Sequence, residues 1–153
     1  MTATTATELA TQVYQVFIKA TPEAIWEAIV KPEFTTKYFH GGAVDTTGEA
    51  GTPMRMVGPD GAVWGDEIIQ ESDPPRRLVV GWRSLYNDEM ASEPASRITW
   101  EIEPREDGVC LVTLVHDQLE QSPLTARSVS GEGWTRVISG LKTLLETGRP
   151  MLD

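Results

Sequence analysis

The sequence predicts an α+β protein in which a meander of antiparallel strands is covered by one long C-terminal helix, and three observations carry that prediction. Between residues 52 and 118, short runs rich in β-branched and aromatic residues alternate with Pro, Gly and Asp turns, the pattern of hairpin-connected strands. From Trp134 onward, Val137, Ile138, Leu141, Leu144 and Leu145 recur at spacings of three and four, which places them on one face of a helix. Several of the strand runs split into an apolar and a polar set at alternate positions, so the sheet offers one apolar face for that helix to cover.

The elements follow in order. The run "VYQVFIKA", residues 13–20, reads as a strand. Thr21 and Pro22 supply an N-cap and a first-turn proline to "EAIWEAIV", a short helix with Ile25, Trp26, Ile29 and Val30 on one side. Pro32 ends it and opens a second short helical segment through "EFTTKYF". Gly41, Gly42, Gly48 and Gly51 mark turns, with a brief strand among them. The meander comprises "TPMRMV", "AVWGDEIIQE" (62–71), "RRLVVGWRS", "SRITWEIEP" and "VCLVTLVHDQ", giving about four long strands. Gly58-Pro59-Asp60-Gly61 and Asp107-Gly108 provide tight turns. Ser122-Pro123 repeats the cap-plus-proline device before the last segment, where Gly131 and Gly133 point to a close backbone approach or a break in the helix. Gly148 and Pro150 sit where a helix C-terminus is expected.

At 153 residues the chain is long enough for one core and short for two, so a single domain over residues 12–150 is expected, preceded by a flexible tail, 1–11. A formal net charge of −10 repels polyanions, and Arg76-Arg77 is the only adjacent basic pair, so nucleic acid and anionic membrane surfaces are poor partners. Neither a secretory signal nor a run long enough to span a bilayer is visible, and a cytoplasmic protein without membrane insertion is expected. The single cysteine, Cys110, lies in an apolar alternating run and reads as a buried small hydrophobe.

The strand faces identify what the helix covers. Leu78, Val80 and Trp82 form one inward set, and Ile98, Trp100 and Ile102 another. In the last strand apolarity alone does not choose between Val112, Leu114, His116 and Leu111, Thr113, Val115. In 62–71 either assignment turns one carboxylate, Asp66 or Glu67, toward the helix side, which is costly unless that group is paired or wet. Trp82, Trp100 and Trp134 therefore converge. They form either a bulky aromatic core or the lining of a pocket under the helix.

The order of strand, "IKATPEAIWEAIVKPE", meander, "DPPRRLVVGWR", "ITWEIEP", "VTLVHDQL" and "GWTRVISGLKTLLE" resembles the activator of heat-shock protein 90 ATPase homologue-like family, within the START and birch-pollen-allergen-like (SRPBCC) superfamily. The resemblance runs from about Val13 to Gly148. It implies a helix-grip fold, in which a strongly bent antiparallel sheet wraps around the long C-terminal helix and leaves an elongated hydrophobic cavity between them. It also implies that Val112, Leu114 and His116 are the inward set of the last strand, and that Ile69, and with it Glu67, points inward. Co-chaperone activity does not follow from the resemblance for a single small domain of the bacterial type.

Little else in the chain carries chemistry. Two histidines, one cysteine and no HxxxH or CxxC spacing give no metal site, and nothing signals a cofactor. The leading functional expectation is a protein that binds a hydrophobic small molecule, lipid-like, polyketide-like or aromatic, among Tyr38, Phe39, Trp64, Glu67, Trp82, Trp100, Leu114, His116, Trp134, Ile138 and Leu141. His40, beside Tyr38 and Phe39, is placed at the cavity mouth. One alternative is a cyclase- or hydrolase-type enzyme using His116 with a cavity carboxylate as acid and base; the plainer reading of His116 is a strand-end residue bonded to backbone or water. A further alternative is a chaperone-associated or stress-response module that binds a protein partner or forms a homodimer.

Overall fold

The structure is a computed structural model that describes residues 9–152. Residues 1–8 of the expected tail lie outside the described part, whereas Leu9 and Ala10 are tied to the body: the Gln12 amide donates to the Leu9 carbonyl at 3.0 Å, and Leu119 N–H donates to the Ala10 carbonyl at 3.3 Å.

Strand β1 (Gln12–Ile18) precedes helices α1 (Pro22–Val30) and α2 (Pro32–Tyr38). Strands β2 (Ala43–Asp45), β3 (Arg55–Val57), β4 (Val63–Gly65), β5 (Ile69–Asp73) and β6 (Arg77–Trp82) follow, then the short α3 (Asp88–Ala91), β7 (Ser96–Pro104), β8 (Cys110–Asp117), α4 (Pro123–Ser128) and α5 (Trp134–Thr147). The main sheet is antiparallel in the order β1-β8-β7-β6-β5, and β2-β3-β4 form a small second sheet.

The expected single strand over 62–71 is corrected to two. Its first part, β4, pairs with β3 in the small sheet, and its second, β5, pairs with β6 in the main sheet beside an irregularity between Ile69 and Glu71. The chain changes sheets across Asp66-Glu67-Ile68, and that sheet change, not a continuous pleat, decides where Glu67 points. The cap expected of Ser122 is also corrected. Its hydroxyl donates to the Pro94 carbonyl at 2.7 Å, and the Glu93 carboxylate instead accepts from Leu124 N–H and Thr125 N–H, both at 2.9 Å, satisfying two orphan donors of α4 from a distant loop. Thr21 caps α1 as its sequence predicts, accepting from Ala24 N–H at 3.1 Å. Gly148 closes α5 in the left-handed conformation at φ +76°, its N–H bonded to the Leu144 carbonyl.

The inward sets meet α5 in one core. Leu78, Ile98, Ile102, Val112 and Leu114 from the sheet, and Val137, Leu141 and Leu144 from the helix, are buried together. Between α4 and α5 the chain makes a π-type turn over Val129–Gly133, where Gly131 leaves helical geometry (φ −75°, ψ −116°). A Cβ at Gly131 would meet nothing within 4 Å, so this glycine marks a break and not a close approach.

Cys110 is 1% exposed, and its thiol donates to the Ala20 carbonyl at 3.3 Å. Burial, with a contribution from the Glu23 carboxylate, pushes the thiol pKa up, which disfavours the reactive thiolate. The native protein is therefore expected to resist iodoacetamide at neutral pH and to take up one equivalent once unfolded; rapid native alkylation would contradict this burial.

Candidate ligand-binding cleft

The most specific polar geometry in the interior joins β6, β7, β8 and α5. An indole nitrogen can only donate, so Trp134 Nε1–H donates to His116 Nδ1 at 3.0 Å and fixes that nitrogen as an acceptor. The neutral imidazole then carries its proton on Nε2, which donates to Ser96 Oγ at 2.7 Å, and the Ser96 hydroxyl donates in turn to the Trp82 carbonyl at 3.1 Å. Each donor in this relay has one acceptor, and His116 is completely buried. A second proton, on Nδ1, would face the indole N–H. Burial depresses the His116 pKa to about 4, outweighing the opposing pull of the neighbouring Asp117 carboxylate, which is itself paired with Arg97.

This arrangement departs from both readings of His116: its partners are neither a cavity carboxylate, the acid–base alternative, nor backbone or water, the plainer one. Asp66 is exposed, and Glu67, half-buried, reaches Arg83 at 3.7 Å; the histidine has a hydroxyl and an indole as its partners. His116 is a positioning residue that holds the plane of the Trp134 ring.

Trp134 is the centre of an aromatic cluster. Its ring lies 5.3 Å from Trp82, 5.8 Å from Phe39 and 6.4 Å from Trp100, in tilted and edge-to-face contacts. Beside this cluster is a cleft of about 410 Å³. Phe39 and His40 after α2, Trp64 of β4, Trp82 of β6 and Tyr86 beyond it line it together with Ser128 at the end of α4, Val129 and Gly133 of the π-type turn, and Trp134 and Val137 of α5. The chain reverses at the mouth through two left-handed residues, His40 (φ +52°) and Gly41 (φ +81°). A smaller void of about 40 Å³ lies behind Phe39, Trp82 and Trp134, bordered also by Trp100, Glu67 and Arg83.

Trp64 reaches the wall because two glycines leave room for it. A Cβ at Gly58 would lie 2.6 Å from the Trp64 ring, and one at Gly42 would lie 2.9 Å from it. These glycines read as turn formers in sequence, but the packing gives them a second reason. The substitution Gly58→Ala is expected to cost roughly 1–3 kcal/mol by overpacking against a rigid ring and to displace Trp64 from the cleft, visible as a lowered Tm together with a changed tryptophan emission.

The structure brings together Phe39, Trp64, Trp82 and Trp134 on the cleft wall, and places Trp100 and Glu67 on the smaller void. Leu114, Ile138 and Leu141 are core residues that do not border the cleft, which corrects their expected place there. The cleft sits at the first turn of α5, and at 1.5 Å rise per residue Leu141 lies roughly 10 Å farther along the axis. Tyr38 is corrected too: its hydroxyl donates to the Ala28 carbonyl at 2.6 Å, joining α2 to α1, and burial pushes its pKa up. Tyr86, Ser128, Val129, Gly133 and Val137 were not among the residues expected at the site. Most of them lie in loops or in the π-type turn, where no periodicity signals a facing direction. Among the described residues, no group of three or more His, Cys, Asp or Glu is placed to hold a metal ion, and no helix is long and apolar enough to cross a membrane.

A mostly antiparallel sheet packed against a long C-terminal helical segment, with an aromatic cleft where the helix begins, defines a protein of the helix-grip class. The chain belongs to the family described as Activator of Hsp90 ATPase homolog 1-like protein, whose family model matches residues 19–146. The comparison with curated proteins returns no match. Among solved structures, the fold is similar to that of protein MLL2253 from Mesorhizobium loti, with a TM-score of 0.74 and 20% identity over 89% of this chain and 96% of that one. It is similar to the Aha1 dimer from Colwellia psychrerythraea, with a TM-score of 0.68 and 19% identity over 90% and 97% of the respective chains. It is also similar to DynU16, a protein in the dynemicin biosynthetic locus, with a TM-score of 0.69 and 22% identity over 92% of this chain and 49% of that one.

Proposed function

We propose that this protein binds a hydrophobic small molecule, with an aromatic or polyketide-like body, in the cleft beside Trp134. The single observation that carries the reading is the chemistry of the wall. Both central indoles have already spent their only polar hydrogen inside the protein, Trp82 on Ser84 Oγ at 3.0 Å and Trp134 on His116, so the faces they turn to the cleft are apolar. A structural neighbour from a biosynthetic locus supports a metabolite as the ligand. No step of bond making is assigned, because the one buried histidine is engaged at both nitrogens.

Native mass spectrometry of gently purified protein is expected to show a bound mass that is released on denaturation, and the released compound should quench tryptophan emission when added back. Trp64→Ala removes one aromatic wall at the half-buried rim and is expected to weaken that compound about tenfold. An unchanged affinity would move the site elsewhere.

A homodimer is a second reading. Val13 and Phe17 are 58% and 55% exposed on the outer face of the edge strand β1, and a structural neighbour is a dimer. Sedimentation at micromolar concentration decides it: a monomer throughout would reject this reading.

A further inference from the structure

A second groove, of about 400 Å³, is lined by the C-terminal end of α2, by Arg136 and Gly140 of α5 and by the chain after α5. Lys37, His40 and Arg136 border it together with Met151 and Leu152, and none of its described lining residues is acidic. In a chain with 23 acidic and 13 basic side chains, a groove with this lining runs against the average charge. Among the described residues Arg136 has one carboxylate partner, Glu132 at 3.2 Å, but both are exposed on the helix surface, where such a pair holds weakly and a ligand can compete for the guanidinium.

The groove and the aromatic cleft are adjoining. His40 borders both. On α5 the cleft residues Trp134 and Val137 and the groove residues Gly140 and Arg136 follow one another around the helix within an arc of roughly 160°, at 3.6 residues per turn. At the end of α2, Phe39 turns to the cleft and Lys37 to the groove, one on each side of the His40 reversal.

We infer that the two form one composite site for an amphipathic anion, whose apolar body lies against Phe39, Trp82 and Trp134 and whose carboxylate, or an equivalent oxyanion, passes His40 to reach Arg136 and Lys37. The inference rests on the proposed binding of a hydrophobic molecule and deepens it by assigning the ligand its charge. Arg136 offers a planar fork suited to a carboxylate, and Lys37 adds a mobile point charge. The long-range field of an acidic protein opposes such a ligand, so these local cations are what would select it.

The test uses two probes of nearly identical shape, naphthaleneacetic acid and its neutral amide, titrated against the whole protein at low salt and followed by tryptophan quenching. The acid is expected to bind about tenfold tighter than the amide, and raising the salt should shrink that preference by screening. Arg136→Gln and Lys37→Gln, both at exposed positions, are each expected to weaken the acid by about threefold to fivefold and to leave the amide unchanged. Equal binding of acid and amide would overturn the inference while leaving the apolar cleft in place. Binding of neither probe would count against both, and loss of amide affinity in the two variants would show that they act on the cleft and not on charge.

Discussion

Lowering the pH from 6.5 to 4 is expected to remove about 3 kcal/mol of folding stability through His116 alone. In the unfolded chain this imidazole titrates near its ordinary value of 6.5, whereas in the fold burial holds it near 4. Between those values the unfolded state binds the proton and the folded state does not, so stability falls as the pH falls. The contribution is fully present above pH 6.5 and fully lost below about 4. Urea unfolding at pH 7 and at pH 4 measures the slope, and the same pair of measurements on His116→Gln separates this histidine from carboxylates that titrate in the same range. The variant is expected to be less stable at pH 7, because Trp134 Nε1 and Ser96 lose a well-placed partner, and to show a shallower pH dependence. Wild type and variant with equal slopes would remove His116 as the source.

Leu141→Ala is expected to cost about 3 kcal/mol while leaving ligand affinity within about twofold. Leu141 is completely buried on the inner face of α5, in the same core cluster as Ile18, Ile25 and Leu114. Truncating it removes transfer free energy and leaves a cavity that elements held by long strands cannot collapse to fill. The cleft lies at the first turn of α5, about two turns from Leu141, so its wall survives. Trp64→Ala is expected to show the opposite balance, with a small effect on stability and a large one on binding. A Leu141→Ala protein that keeps its stability but loses its ligand would return Leu141 to the site from which the structure removes it.

What the sequence legibly carried was the fold, because the fold depends on period. The alternation in Leu78–Trp82 and Ile98–Ile102, whose inward sets and not Val79 or Thr99 join the core under α5, the three-and-four spacing from Val137 to Leu145 and the cap at Thr21 are local signals that tertiary packing did not override. The aromatic part of the site was legible for the same reason: Trp82 belongs to an inward set of its strand, and Trp134 lies on the buried face of its helix. The polar part was legible only as a question, since a lone histidine at a strand end is compatible with an acid–base role and with a structural one.

The sequence by itself therefore determined the class of fold and the faces of the two strands with clear alternation, Leu78–Trp82 and Ile98–Ile102, properties read within a few residues. Only the tertiary structure decided the rest. It split 62–71 between two sheets, placed Glu93 on α4 across some thirty residues of chain, and gave His116 a hydroxyl and an indole where a carboxylate was one expectation. Each of these is a contact between residues far apart in sequence, and a side chain's partner is set by what the fold brings within about 3 Å of it, which no local pattern encodes.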